Sequence, residues 1–395
     1  MQQSLNTLYP DLVVLGSTGS VGEQALDVAR VHGIRVRGVT AHKSITAAEK
    51  QIREFRPDFA VLTDERAAWD LRARVADTDT RVLAGVEGIT EMLHTLRTEN
   101  PLGITVENSI LGEAGLLPTL ETLKAGHKLA LANKESLVVG GELVMALARE
   151  KGTTILPVDS EHCAIFQCLR AGQQDEIKKI LLTASGGPFY GYTKEQLRSV
   201  TKEMTLNHPT WKMGAKITVD SATLMNKGFE MIEAVHLFGV TPRQVEVIVH
   251  RESMIHSMVE YIDHSIIAQM SVPDMRHCVQ YALTHPRRLP AGEMLAEADL
   301  FSLGKLTFGR PDTGVFPLLA LAGDCIAAGG ALPCVLNAAN EIIVAAFLND
   351  VIRFCDIPDL VDRTVGDLRY VSDWHTYDQL VEADTLARET AKRLL

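Results

Sequence analysis

The chain predicts an α/β fold class in three parts: an N-terminal parallel sheet wrapped by helices, a central α+β region and a C-terminal helical region. Three observations carry this reading. Short apolar runs alternate with helix-period segments over residues 12–150, polar side chains of the kind that hold ligands concentrate between Asp159 and Glu230, and the pattern from Phe316 onward is almost wholly helical. At 395 residues the chain exceeds one comfortable core, which agrees with several domains.

The elements follow in order. Leu12–Leu15 reads as a strand, and Gln24–Arg30 as the helix after it. Val36–Thr40 and Phe59–Leu62 are the next strands. Helix Leu116–Ala125 leads to strand Lys128–Leu131, and Ser136 caps a long apolar-striped helix ending near Glu150. Strand Thr154–Val158 begins the second region, with further strands at Lys179–Thr183, Gln244–His250 and Ile266–Met270. Residues 289–313 are rich in Pro, Gly and isolated charges and read as a connection. The expected boundaries are therefore 1–152, 153–288, 289–313 as linker, and 314–395.

Composition narrows the function. A formal net charge of −11 argues against a general nucleic-acid or acidic-membrane surface, so an anionic ligand must be held by local donors. No apolar stretch reaches membrane-spanning length. The six cysteines form no C-x-x-C pair and no zinc spacing, which points to a reducing compartment. The first residues carry no secretory or transit pattern, so the expected location is cytoplasmic.

Gly16-Ser-Thr-Gly-Ser-Val-Gly22 joins the first strand to the first helix. In that context backbone N–H groups and the helix dipole hold a pyrophosphate, which makes the N-terminal domain Rossmann-like. No Asp or Glu stands between Asp27 and Glu49, whereas His42, Lys43 and Ser44 lie after the second strand. A cation with hydroxyl support suits a 2′-phosphate, so NADP is favoured over NAD. Pro157-Val-Asp-Ser-Glu-His162 ends a later strand. In extended geometry Asp159 and Glu161 share a side and converge on one ion. In the expected helix Met225–Phe238, Asn226, Glu230 and Glu233 share a face, and Asn226 and Lys227 lie in the first turn, where exposed N–H groups favour an anion. Oxygen-only ligands imply Mg²⁺ or Mn²⁺. The run from Asn207 to Glu230 also gathers a His, a Trp, hydroxyls and lysines, the donor set a phosphorylated substrate requires.

Taken together, these blocks closely resemble the 1-deoxy-D-xylulose 5-phosphate reductoisomerase family over nearly the whole chain. The likeness includes the glycine turn, Leu131-Ala-Asn-Lys-Glu-Ser-Leu137, Pro157–His162, Thr183-Ala-Ser-Gly-Gly-Pro-Phe189, the run His208–Glu230, His250-Arg-Glu-Ser-Met-Ile-His-Ser257, Pro273-Asp-Met-Arg276 and Leu336-Asn-Ala-Ala-Asn-Glu341. The resemblance implies an NADPH- and metal-dependent enzyme of non-mevalonate isoprenoid synthesis, acting on a sugar phosphate as a homodimer. It implies that Thr18, Gly19, Ser20 and Val21 hold the cofactor pyrophosphate and that Lys43 and Ser44, beside His42, face the 2′-phosphate. Asn133, Glu135 and Gly214 would complete the cofactor site. Asp159, Glu161 and Glu230 would ligate the metal, and Ser185, Ser221, Asn226 and Lys227 the substrate phosphate. Lys134, Ser160 and His208 would meet the substrate's carbon chain or its oxygens, with Lys134, Glu161, His208 and Trp211 forming the catalytic set. Residues 186–216, with Trp211 and Met213, resemble the family's closing lid. Three positions depart from the family: Ala41-His-Lys-Ser44 stands for Ala-Gly-Lys-Asn, and His264 replaces a turn glycine.

The implied reaction rearranges a carbon skeleton and then reduces an aldehyde. A retro-aldol/aldol route and a direct ketol shift both remain open. Two other readings fit parts of the chain: a metal-dependent NADP dehydrogenase of a phosphorylated hydroxy compound, and a non-catalytic NADP(H) sensor. A sensor has little need of three acidic ligands and a phosphate donor set together.

Overall fold

The computed structural model describes residues 10–207 and 213–395. The chain divides into two compact units, the first built from residues up to 136, 144–163 and 274–296, the second from 137–143, 164–273 and 297–395.

The first unit holds a seven-stranded sheet in the order β4-β3-β2-β1-β5-β6-β7. Its strands are β1 Leu12–Leu15, β2 Val36–Ala41, β3 Phe59–Leu62, β4 Arg81–Ala84, β5 Thr105–Asn108, β6 Lys128–Leu131 and β7 Ile155–Pro157. Every pairing is parallel, so helices cover the sheet, and inner strands such as β1 and β3 read as unbroken apolar runs. Val13, Leu15, Phe59 and Val61 pack against Met92, Leu93 and Leu96 of helix Gly85–Glu99. Strand order reverses between β1 and β5, the place where open α/β sheets leave a crevice for ligands.

The N-terminal sheet agrees with the sequence reading, with informative differences. β4 is short and begins on an exposed Arg81, so it lacks a clear apolar run. β5 reads Thr-Val-Glu-Asn yet is buried throughout, and its polar letters conceal it. The strand expected to begin the second region is the edge of the first sheet, since Leu129 and Ala130 of β6 pair with Ile155 and Leu156. Ser136 does not cap the long helix, which runs Glu135–Lys151. Asn133 takes that role, its Oδ1 accepting the Ser136 backbone N–H at 2.8 Å.

The second unit holds a four-stranded mixed sheet in the order β11-β10-β8-β9, made of β8 Ile177–Ala184, β9 Val245–Val249, β10 Ile255–Tyr261 and β11 Ile266–Met270. β8 and β9 are parallel, and β10 runs antiparallel to both β8 and β11. The sequence reading missed β10, whose His256, Ser257 and Glu260 interrupt its apolar letters although the strand is buried. His264 turns the chain from β10 to β11 at φ 69, the left-handed conformation that favours the glycine it replaces. Within residues 289–313, Gly309 bridges to Val249.

Helices Leu318–Ala328, Leu332–Leu348, Ile357–Asp367 and Tyr377–Leu394 complete this unit. Helix Met225–Phe238 packs on Leu318–Ala328. Gly228 permits the close approach, because a Cβ there would stand 2.6 Å from the Ala322 side chain. Deeper in, Asn340 of helix Leu332–Leu348 donates through Nδ2 to Asp220 Oδ1 at 2.7 Å, and Asp220 is 1% exposed. Asn340→Ala should remove that donor and lower stability by about 1–3 kcal/mol, measured by urea unfolding; an unchanged midpoint would show that Asp220 does not depend on it.

Candidate active site

In the first unit the chain leaves β1 at Gly16, with φ 83, and enters helix Ser20–His32 through Gly19. A Cβ at Gly22 would meet Gly16 O at 2.4 Å, so only glycine lets the helix start beneath the turn. No side chain caps this helix, which leaves its first N–H groups for a ligand anion. The turn is pinned to β2 and to helix Ile45–Phe55 after it: Gly16 N–H donates to Thr40 Oγ1 at 2.9 Å, and Ser17 Oγ donates to Gln51 Oε1 at 2.6 Å. Ser17, Thr40 and Gln51 are all buried, and the sequence reading passed over all three. His42 Nδ1 lies 2.9 Å from Thr63 Oγ1. The exposed Lys43 side chain makes no hydrogen bond or ion pair among the described residues.

Asp159 and Glu161 are brought together by a helix start, not by extended backbone as the spacing suggested. Helix Ser160–Cys168 begins between them, Glu161 N–H lies 3.3 Å from Asp159 Oδ1, and Cys163 N–H donates to Asp159 O at 2.8 Å. Asp-Ser-Glu is a helix-opening sequence, and two carboxylates there also gain from the helix dipole. Lys134 is 9% exposed and donates to Asp159 Oδ2 at 2.6 Å. Ser160 Oγ donates to Glu161 Oε2. Asn133 has structural partners as well. Its Nδ2 reaches Ile110 O at 2.6 Å, Gly112 O at 2.8 Å and Glu135 Oε2 at 3.3 Å, so its amide locks the 110–112 loop to the following helix.

The second unit supplies a separate group of donors. β8 ends at Ala184, and Ser185, Gly186 and Gly187 form the loop beyond it. Gly186 and Gly187 have φ 78 and 65, and a Cβ at Gly187 would lie 2.8 Å from Ser221 O. That close approach sets the loop against the end of helix Ala215–Ala222. Arg251 holds the loop by donating from Nη1 to Ser185 O at 3.1 Å and to Gly187 O at 2.7 Å. Helix Met225–Phe238 follows at once, entered through Leu224 at φ 61. Asn226 Nδ2 and Lys227 Nζ each lie 2.5 Å from Glu230, on Oε1 and Oε2. Glu230 is 1% exposed, so these two donors offset much of the cost of burying its charge.

His250 and Asp220 also escaped the sequence reading. His250 is buried; its Nδ1 lies 2.9 Å from Thr307 O, and Nε2 accepts the backbone N–H groups of Met254 and Ile255. That pattern makes it a brace of the turn before β10. Gly214 is the exposed residue preceding helix Ala215–Ala222, where Thr218 N–H donates to its carbonyl. His208 and Trp211 lie outside the described residues, as does part of the expected lid.

Three family models match the chain: 1-deoxy-D-xylulose 5-phosphate reductoisomerase over residues 12–141, the C-terminal domain of that reductoisomerase over 155–238, and the DXP reductoisomerase C-terminal domain over 270–390. The 1-deoxy-D-xylulose 5-phosphate reductoisomerase of Acetivibrio thermocellus is 49% identical over 382 residues, covering 97% of this chain and 98% of its own. A solved structure of the Zymomonas mobilis reductoisomerase with NADPH superposes with a TM-score of 0.89 at 38% identity, covering 98% and 99% of the two chains. A DOX-P reductoisomerase in complex with NADPH, fosmidomycin and magnesium gives a TM-score of 0.89 at 37% identity, with 97% and 98% coverage.

The geometry of the second unit makes one expectation for its loop. Gly187→Ala should strain the backbone and push against Ser221, costing at least about 1 kcal/mol in urea unfolding. Wild-type stability would show that the loop can shift without cost.

Proposed function

Because the chain belongs to the 1-deoxy-D-xylulose 5-phosphate reductoisomerase family, we propose that its two units carry out NADPH- and Mg²⁺-dependent conversion of 1-deoxy-D-xylulose 5-phosphate to 2-C-methyl-D-erythritol 4-phosphate. The observation that carries the reading is 49% identity with a reductoisomerase of that name across 97% of this chain. The residues present fit both cofactors. An uncapped helix behind a close-packed glycine turn suits a pyrophosphate, and the free Lys43 ammonium suits the 2′-phosphate. The metal ligands we assign are Asp159, Glu161 and Glu230. Their all-oxygen chemistry suits a hard divalent cation.

When bound, the cation supplies Lewis-acid stabilisation of charge on substrate oxygens, and NADPH supplies the hydride that reduces the aldehyde. The protein's own part is to bind, orient and exclude water. We assign Ser185, Ser221, Asn226 and Lys227 to the substrate phosphate. This group is remote from the reacting carbons, so its binding energy is available to align them. Among the described residues the Ser221 hydroxyl has no hydrogen-bond partner, which supports its assignment to a ligand. Lys134 is assigned to charge and proton management at the substrate oxygens, with Ser160 beside it. His208 and Trp211 are assigned to the substrate and to shutting out water, on family resemblance alone. Thr18, Gly19, Ser20, Val21, His42, Ser44, Asn133, Glu135 and Gly214 complete the proposed cofactor contacts. The domain limits proposed for these roles are those read from the sequence.

We also propose a homodimer formed along β11. Ile266, Ile267 and Met270 are 51%, 37% and 36% exposed on this edge strand, and Ile262 in the turn before it is 61% exposed; a second copy would cover both the apolar side chains and the open backbone edge. No helix among the described residues is long and apolar enough to cross a membrane. All six cysteines are free thiols, which supports the proposed reducing cytoplasm.

The decisive assay follows NADPH absorbance with 1-deoxy-D-xylulose 5-phosphate. Absorbance should fall only when substrate and Mg²⁺ or Mn²⁺ are both present, and the product should be branched; an unbranched product would leave a simple dehydrogenase. Glu230→Gln should lower turnover about a thousandfold or more, because metal charge stabilisation is worth several kcal/mol. Wild-type turnover in that variant would remove Glu230 from the ligand set. Lys43→Ala should weaken NADPH roughly tenfold and leave NADH unchanged, as expected for losing one charge-assisted contact. Equal losses for both nucleotides would assign Lys43 a role elsewhere.

A further inference from the structure

Beside the glycine turn lies a buried acid that the assignments above leave unused. Glu107 sits in β5 opposite Val14 of β1 and is 0% exposed. Among the described residues its Oε1 has no partner, and its Oε2 lies 3.1 Å from the Ser109 hydroxyl. That same hydroxyl lies 3.0 Å from the carbonyl oxygen of Leu15, which also accepts the Ser109 backbone N–H.

A serine hydroxyl has one proton and cannot serve two acceptors at full strength. One arrangement satisfies the chain of groups. A protonated Glu107 donates from Oε2 to Ser109 Oγ, and Ser109 donates onward to Leu15 O. The Leu15 carbonyl belongs to the peptide bond that leads into Gly16, the first glycine of the turn. Gly16 packs so closely on Ser109 that a Cβ there would stand 2.8 Å from Ser109 O. Two hydrogen bonds therefore link the proton on Glu107 to the backbone of the turn.

We propose that Glu107 is a positioning residue for the cofactor turn. As a neutral acid it directs the Ser109 hydroxyl onto Leu15; once ionised it claims that proton for itself, the turn slackens, and NADPH binds less tightly. The inference rests on the NADPH reading given above. Burial pushes Glu107 up to about 8, opposed by the Ser109 hydroxyl. The charged groups on elements packed against β5 are Glu23, Asp27, Arg30 and His32 of helix Ser20–His32, Glu121 and Lys124 of helix Leu116–Lys124, and Lys128 of β6. None of them is among the influences on Glu107. The sign follows from linkage. A carboxyl raised in the folded state contributes its stability fully below the ordinary value of 4.5 and loses it as pH rises through about 8.

The test is NADPH affinity by nicotinamide fluorescence, without substrate or metal, from about pH 7 to about pH 9. The wild-type Kd should rise roughly fivefold across that range, the equivalent of one neutral hydrogen bond, while Glu107→Gln stays flat. A flat wild-type curve, or the same rise in Glu107→Gln, overturns the inference. Should the variant fail to fold, carboxyl NMR of ¹³C-glutamate-labelled wild type decides instead: a carboxyl titrating in that range supports it, and none titrating there overturns it. A protein that binds no NADPH at any pH would overturn the cofactor reading and this inference with it.

Discussion

Each of two buried lysines neutralises a carboxylate that would otherwise be costly to keep out of water. Lys134 holds Asp159 in the first unit, and Lys227 with Asn226 holds Glu230 in the second. Taking an isolated carboxylate out of water costs several kcal/mol even after relaxation, so the buried Glu230 depends on such partners, whereas Asp159, its side chain 19% exposed, keeps some contact with solvent. The same pairing holds these side chains in position without any cation. Were a divalent cation held by Asp159, Glu161 and Glu230 as proposed, it would supply neutralising charge of its own, and the Lys134 and Lys227 ammonium groups could then serve substrate oxygens. Stability without ligand and readiness for ligand are thus met by one set of contacts.

The scaffold behind these pairs is stiff for identifiable reasons. Gly228 lets the Glu230 helix settle directly onto Leu318–Ala328. Asn340 reaches from the C-terminal helices to Asp220, which also pairs with Lys216 at 3.0 Å. Arg251 ties down the carbonyls of the Ser185 loop, and the buried His250 braces the neighbouring turn. The C-terminal helices carry none of the assigned chemistry, yet through Asp220 they support the helix that bears Ser221.

Much of this was legible in the sequence, because the signals are local. The glycine spacing after Leu15, the helix Met225–Phe238 and strands Leu12–Leu15, Phe59–Leu62, Lys128–Leu131 and Ile266–Met270 have the limits expected from their patterns. What escaped notice depends on burial, which letters alone do not reveal. β5 and β10 carry Glu, Asn, His and Ser on fully buried strands, so the rule that inner strands are apolar passes over them. Ser17, Thr40 and Gln51 are separated by up to 34 positions and meet only in the fold. Asp159 and Glu161 were paired for the wrong geometric reason, since a helix opens between them where a strand end was expected.

Leu224 sets the chain at φ 61 between two consecutive helices, a conformation a leucine adopts only when its surroundings insist. From there one unbroken helix carries Asn226 and, a turn later, Glu230. The axial rise between those two is about 6 Å, given 1.5 Å per residue. Since a helix neither stretches nor compresses readily, that interval acts as a molecular ruler. The two side chains nevertheless meet across that interval, with Asn226 Nδ2 2.5 Å from Glu230 Oε1, so a compound engaging both has to part this contact and cannot count on the helix to lengthen.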